Sequence, residues 1–287
     1  MVPPGDIGSL PIWVLVYILL GLAMAVAGYV FYYRVIRLVL QGRAELRLDR
    51  PMERLGGAVM IVLGQQKVLQ RVRFGDYAGL GHAIVFWGFL TFLLSYAIFI
   101  FGAAVWRPFP EKLLTDTGAM VYSSYLDILA AVLALVLIWA AVRRWVVKPR
   151  RLSFDLTRNP DAIVVVGLIF GLMISTLLTH AFWVAQGGTG PEADVLIGGE
   201  LGGLFADWGL GISAANTLQG VFWWTHLSII LFFTVYIPFS KHMHMVAAPV
   251  NAFFRSLEPR GALPAMDLEN TERFGASRVQ DFTWKQL

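Results

Sequence analysis

Apolar residues along this chain come in five long runs separated by polar, charge-bearing stretches. The runs cover approximately residues 11–33, 77–105, 118–142, 162–185 and 216–240. Each is long enough for a helix to cross the hydrocarbon core of a bilayer, which takes about 20 apolar residues. The pattern predicts an all-α integral membrane protein, a five-helix transmembrane bundle occupying residues 1–250. The first run is not a cleaved leader: nothing basic precedes it, its apolar stretch is too long, and Arg34 and Arg37 follow it. It reads as an anchor whose N-terminus lies outside.

Between the runs, charge is distributed unevenly. Residues 34–76 carry nine Lys/Arg, residues 143–158 six and the tail from Lys241 six, whereas the loops on the other side carry only Arg107 and Lys112. The positive-inside rule therefore places the basic loops and the C-terminus in the cytoplasm. The loop 186–215 has no Lys or Arg and four acids, Glu192, Asp194, Glu200 and Asp207, and reads as a Gly-rich external cap. In the first basic loop, 52–72 interleaves Leu55, Val59, Ile61, Val62, Val68 and Leu69 with Arg54, Gln65, Gln66, Lys67 and Arg71. This predicts an amphipathic helix on the inner membrane surface. Residues 251–287 turn polar and form a cytoplasmic extension too short for a core of its own.

Composition narrows the chemistry. The chain has 287 residues, is 57% hydrophobic and only 15% charged, against about 25% charged in soluble domains. It contains no cysteine. This excludes disulfides, thiolate-bound iron–sulfur clusters and zinc sites within the chain, and covalently attached haem. The net charge of +4 follows membrane topology and is not a nucleic-acid signal.

All five histidines lie at or near the ends of apolar runs. His226 and His244 are 18 residues apart, which on one continuous helix is five turns and about 27 Å, so both would face the same way near opposite membrane surfaces. His82 lies at a depth matching His244, and His180 at a depth matching His226. Two depth-matched imidazole pairs on facing helices are what two b haems in series require. His242 is the alternative to His244, because Pro238 disturbs the helix just before both. Small residues near His82 (Gly79, Gly81, Gly88) would let a macrocycle approach. Asp127 is the sole acid inside a predicted span and follows Tyr122, Ser123, Ser124 and Tyr125. Intramembrane acids are usually functional, and this cluster is a candidate quinone contact; the competing candidate is the surface helix around Gln65, Gln66 and Lys67.

Four stretches carry a family resemblance: VLGQQKVLQR (62–71), GHAIVFWGFL (81–90), WWTHLSII (223–230) and PFSKHMHMVAAPVNAFFRSL (238–257). With them the chain resembles the cytochrome b (gamma) subunit of respiratory nitrate reductase. It is closer to the cytochrome b domain of heterodisulfide-reductase-like membrane oxidoreductases, a group that includes electron-transfer-flavoprotein:menaquinone oxidoreductases. The resemblance implies His82 and His244 as inner haem ligands and His226 as an outer one. The second helix-II histidine of the nitrate reductase subunit, ten residues on, is here Phe92. Either His180 supplies that ligand or the outer haem is absent. The resemblance also implies a cytoplasmic iron–sulfur partner, fused beyond Leu287 or separate, and an electron-transfer flavoprotein behind it.

The expectation is thus a di-haem b cytochrome, an electron-transfer membrane subunit or domain of a prokaryotic inner membrane. It would join a cytoplasmic iron–sulfur/flavoprotein module to the (mena)quinone pool, with no catalytic residue of its own. The rival readings are a haem-free membrane anchor of a peripheral redox complex and a small-solute transporter. The sequence shows no inverted repeat to support a transporter.

Overall fold

A computed structural model describes residues 1–6, 10–102, 105–106, 109–149, 160–259 and 278–287. Among these the chain is helical, with isolated bridges and no strand. Residues 260–277 of the expected extension, and 150–159 of the second basic loop, lie outside the described residues.

Five helices are long and apolar enough to cross a membrane. They are α1 (Ile12–Val39), α4 (Ala78–Gly102), α6 (Asp116–Val147), α7 (Asp161–Ala185) and α9 (Ile212–Phe239). Shorter helices lie between and after them: α2 (Pro51–Val62), α3 (Gln66–Leu69), α5 (Phe109–Leu113), α8 (Leu196–Asp207) and α10 (His244–Phe253). Two spans run further than hydropathy predicts, α1 to Val39 and α6 to Val147. In both a wide turn, Tyr32–Ile36 or Val142–Val147, continues the helix through its arginines. Long cationic side chains tolerate this because their stems lie along apolar surface while the charge stays wet. Leucines such as Leu22 and Leu135 are largely exposed on the spans, as lipid-facing residues are.

Two compact units divide the chain. The first comprises Met1–Gly21 and Arg71–Thr234. Its core is α7, flanked by α6 and α8. On α6 the buried positions are Asp127, Ala130, Leu133, Ala134 and Leu137, one stripe at helical spacing. On α7 burial reaches from Ile169 to Ala185 and is nearly continuous past Ser175. Two of the three glycines named near His82, Gly81 and Gly88, sit in close helix packing. A Cβ on Gly81 would lie 2.8 Å from the Trp139 ring, and one on Gly88 2.6 Å from a Leu133 methyl, so α6 already fills those notches.

The second unit comprises Leu22–Gln70 and Val235–Leu287. The helix predicted over 52–72 is interrupted: α2 stops at Val62, Gln65 takes a left-handed conformation (φ 49°), and α3 is a single turn. Gly64 makes the break, since a Cβ there would sit 2.6 Å from the Met60 carbonyl oxygen. Met52, Leu55 and Val59 are exposed along one face of α2. Arg54, expected on the polar face, is instead buried. Its guanidinium donates to the carbonyls of Phe253 (3.3 Å) and Arg255 (2.7 Å) and to Asp49 Oδ1 (2.6 Å). Cations favour helix C-termini, where carbonyls lack helical partners, and this one closes α10. The terminal residues are not left loose: Arg43 and Thr283 form a parallel bridge, Trp284 Nε1 donates to Glu45 O (2.8 Å), and its ring meets Phe254 edge-on.

Candidate functional site

The predicted ligand helix does not run unbroken from His226 to His244. The α-helical part of α9 ends at Tyr236, a tight turn follows over Ile237–Phe239, and Ser240 is extended (φ −103°, ψ 167°). Ser240 Oγ accepts from His242 N (3.1 Å) and starts a new turn, from which α10 begins at His244. Pro238 has no N–H to continue the ladder, so the five-turn phase argument fails. His244 is nonetheless held firmly. Its Nδ1–H donates to Lys241 O (2.8 Å), which puts the proton on Nδ1 and the lone pair on Nε2. Iron- and zinc-binding histidines are oriented in this way. The His242 ring stands edge-on to that of His244, centroids 5.5 Å apart. His82, in the first turns of α4, and His244 are both exposed.

His226 and His180 are in the opposite condition, both buried within the first unit. His226 Nδ1 lies 2.8 Å from Ser175 Oγ on α7, and Nε2 lies 2.8 Å from the Tyr96 hydroxyl on α4. His180 Nδ1 lies 3.3 Å from Asp127 Oδ1 on α6. Asp127 is fully buried. Its other oxygen accepts from Ile197 N (2.6 Å) and Gly198 N (3.0 Å) at the start of α8. A Cβ on Gly198 would lie 2.7 Å from His180 Cβ, so glycine permits this approach.

The quinone candidates near Asp127 are therefore occupied by the fold. The carboxylate caps α8 and meets His180. Tyr122 hydroxyl pairs with Ser95 Oγ (2.8 Å), and Ser124 Oγ donates to Asp194 O (2.8 Å). On the other candidate surface, Gln66 and Lys67 open α3, but their neighbour is the unusual residue. Gln65 is buried, its Nε2 donates to Val62 O (2.6 Å), and its Oε1 has no hydrogen-bond partner among the described residues. A buried carbonyl oxygen left unpaired is costly, which singles this residue out. Sequence reasoning placed Gln65 on an exposed helix; the missed signal is Gly64 just before it. Tyr96 and Ser175 were missed because nothing local relates them to His226.

Two curated proteins are similar to this chain. It is 30% identical over 272 residues to the probable iron-sulfur-binding oxidoreductase FadF of Bacillus subtilis (strain 168), over 92% of this chain and 36% of that protein. It is 25% identical over 295 residues to the EtfAB:quinone oxidoreductase of Syntrophomonas wolfei, over 100% of this chain and 40% of that protein. The chain thus spans well under half the length of these relatives. No family model matches it, and no solved structure matches it significantly.

Proposed function

We propose that this chain is the membrane-embedded electron-transfer part of a quinone oxidoreductase, with its N-terminus outside and its basic loops and C-terminus cytoplasmic. The observation that carries the reading is the contrast among its histidines. His82 and His244 stay exposed, and His244 is already oriented through Nδ1.

By the resemblance His82 and His244 are the axial ligands of a haem b, and neutral imidazole is a donor suited to haem iron. When bound, the haem supplies a one-electron carrier; the chain supplies ligands, orientation and an apolar surround. Lys241 fixes the His244 tautomer through its carbonyl. Gln65 offers an unpaired acceptor suited to a quinol hydroxyl. The apolar flanks of the five spans keep water from the path. The names of the two relatives, an iron-sulfur-binding oxidoreductase and an EtfAB:quinone oxidoreductase, support two partners for this chain. One is a cytoplasmic iron–sulfur module, with an electron-transfer flavoprotein behind it; the other is the quinone pool. A prokaryotic inner membrane is the setting.

The test is a reduced-minus-oxidised spectrum of the purified full chain. A b-type α-band is expected, lost in His82→Ala and in His244→Ala. A purified, folded chain with no such band overturns the haem and leaves a membrane anchor.

A further inference from the structure

His226 is the outer ligand that the resemblance implies, yet its hydrogen bonds leave no lone pair for iron. Ser175 has one hydroxyl proton, and its Oγ donates that proton to Leu172 O (3.0 Å). Toward His226 the same oxygen therefore accepts, so the imidazole proton sits on Nδ1. Nε2 then carries the lone pair, and the Tyr96 hydroxyl 2.8 Å away donates to it. The electrons that would bind a metal are already engaged by a phenol.

The second ligand is displaced as well. His180 and Ser175 both lie on α7, five residues apart, which turns them about 140° from one another around the helix axis. Ser175 faces His226 on α9. His180 meets Asp127 on α6 and is packed by Gly198 on α8. The two imidazoles thus lie on different sides of α7 and do not face each other across a gap. At the position where the resemblance expects a histidine, α4 carries buried Phe92. One turn further on, the same face of α4 carries Tyr96.

We infer that His226 is not a haem ligand in this chain: Tyr96, His226 and Ser175 form a closed hydrogen-bonded clamp joining α4, α9 and α7 where an outer haem would lie. The inference rests on the proposed function only in its statement about haem; the clamp stands independently of it. Haem is then confined to the side of His82 and His244. With only the inner haem of the resemblance left, no second haem carries electrons toward the opposite membrane surface.

The experiment uses the full chain purified in detergent, with two readouts. Pyridine haemochrome against protein should give about one haem per chain, as a single bis-imidazole site requires. His226→Ala and Tyr96→Phe should keep the wild-type haem content and α-band, whereas His82→Ala should lose them. About two haems per chain, or haem lost in either clamp variant, overturns the inference. The second readout needs no haem. Tyr96→Phe removes one oxygen and tests the clamp gently; thermal unfolding is compared for Tyr96→Phe, Ser175→Ala, His226→Ala and the Tyr96→Phe/His226→Ala double variant. A double variant little less stable than His226→Ala alone supports the clamp, because the two groups then act as one unit. Fully additive losses overturn it. A chain without any haem but with coupled clamp residues defeats the proposed function and not the clamp.

Discussion

Asp127 Oδ2 lies 2.6 Å from the backbone nitrogen of Ile197, so a carboxylate on a membrane-spanning helix caps the first turn of α8, a short helix that is not one of the five spans. The first N–H groups of a helix lack intrahelical acceptors, and α8 has no side-chain cap of its own at Val195. Asp127, the candidate quinone contact, thus has a structural role as a helix cap. Asp127→Ala should destabilise the protein by about 1–3 kcal/mol, the cost of leaving buried donors unpaired. Asp127→Asn, which can still offer one oxygen to both amides, should lose less. Thermal unfolding in detergent checks the order. Reduction of a quinone analogue should be unaffected in Asp127→Asn; a slowed rate with unaltered stability would restore the acid to a quinone site.

The tautomer set by Lys241 O distinguishes the two neighbouring histidines. His244→Ala should abolish the b-type band, while His242→Ala should retain it. The same difference spectrum reads both variants, and loss of the band in His242→Ala alone would reverse the assignment.

Gln65 predicts the position of the quinone headgroup. Gln65→Leu keeps the volume and removes the unpaired oxygen, so the rate of haem reduction by a quinol analogue, whose hydroxyl donates to that oxygen, should fall about tenfold, as expected for one lost hydrogen bond near 1.4 kcal/mol. The haem spectrum should not change. Stopped-flow reduction at varied quinol concentration measures this, and a wild-type rate in Gln65→Leu removes the residue from the site.

Arg54 closes the C-terminus of α10 from α2. Loss of its bonds to the carbonyls of Phe253 and Arg255 in Arg54→Ala should cost about 1.5–3 kcal/mol and appear as faster amide exchange in α10. The guanidinium also hydrogen-bonds Asp49 and holds that carboxyl below its ordinary value. A depressed carboxyl stabilises the fold above its unfolded value, near 4, and that contribution disappears as the pH falls through the folded value. Protection of α10 should accordingly be constant from neutral pH down to about 5 and then decline. In Arg54→Ala the acid-side decline should shrink, leaving only what Arg50 still contributes at Asp49.

Much of this architecture is written in one dimension. A bilayer imposes a length and a hydropathy on each span, and both are properties of consecutive residues. The five spans consequently stand within a few residues of where apolar runs place them. Helix breaks are only half legible. Pro238 and Gly64 announce interruptions, but whether α9 would resume in phase depended on Ser240 adopting an extended backbone and capping His242. The partners of the buried imidazoles were not legible at all. Tyr96 is 130 residues from His226, Ser175 is 51 residues from it, and Asp127 is 53 residues from His180. A histidine's sequence neighbours say how deep it lies in a membrane. Which lone pair it keeps depends on the side chains that distant helices bring within 3 Å of its two nitrogens, and only the packing of those helices decides that.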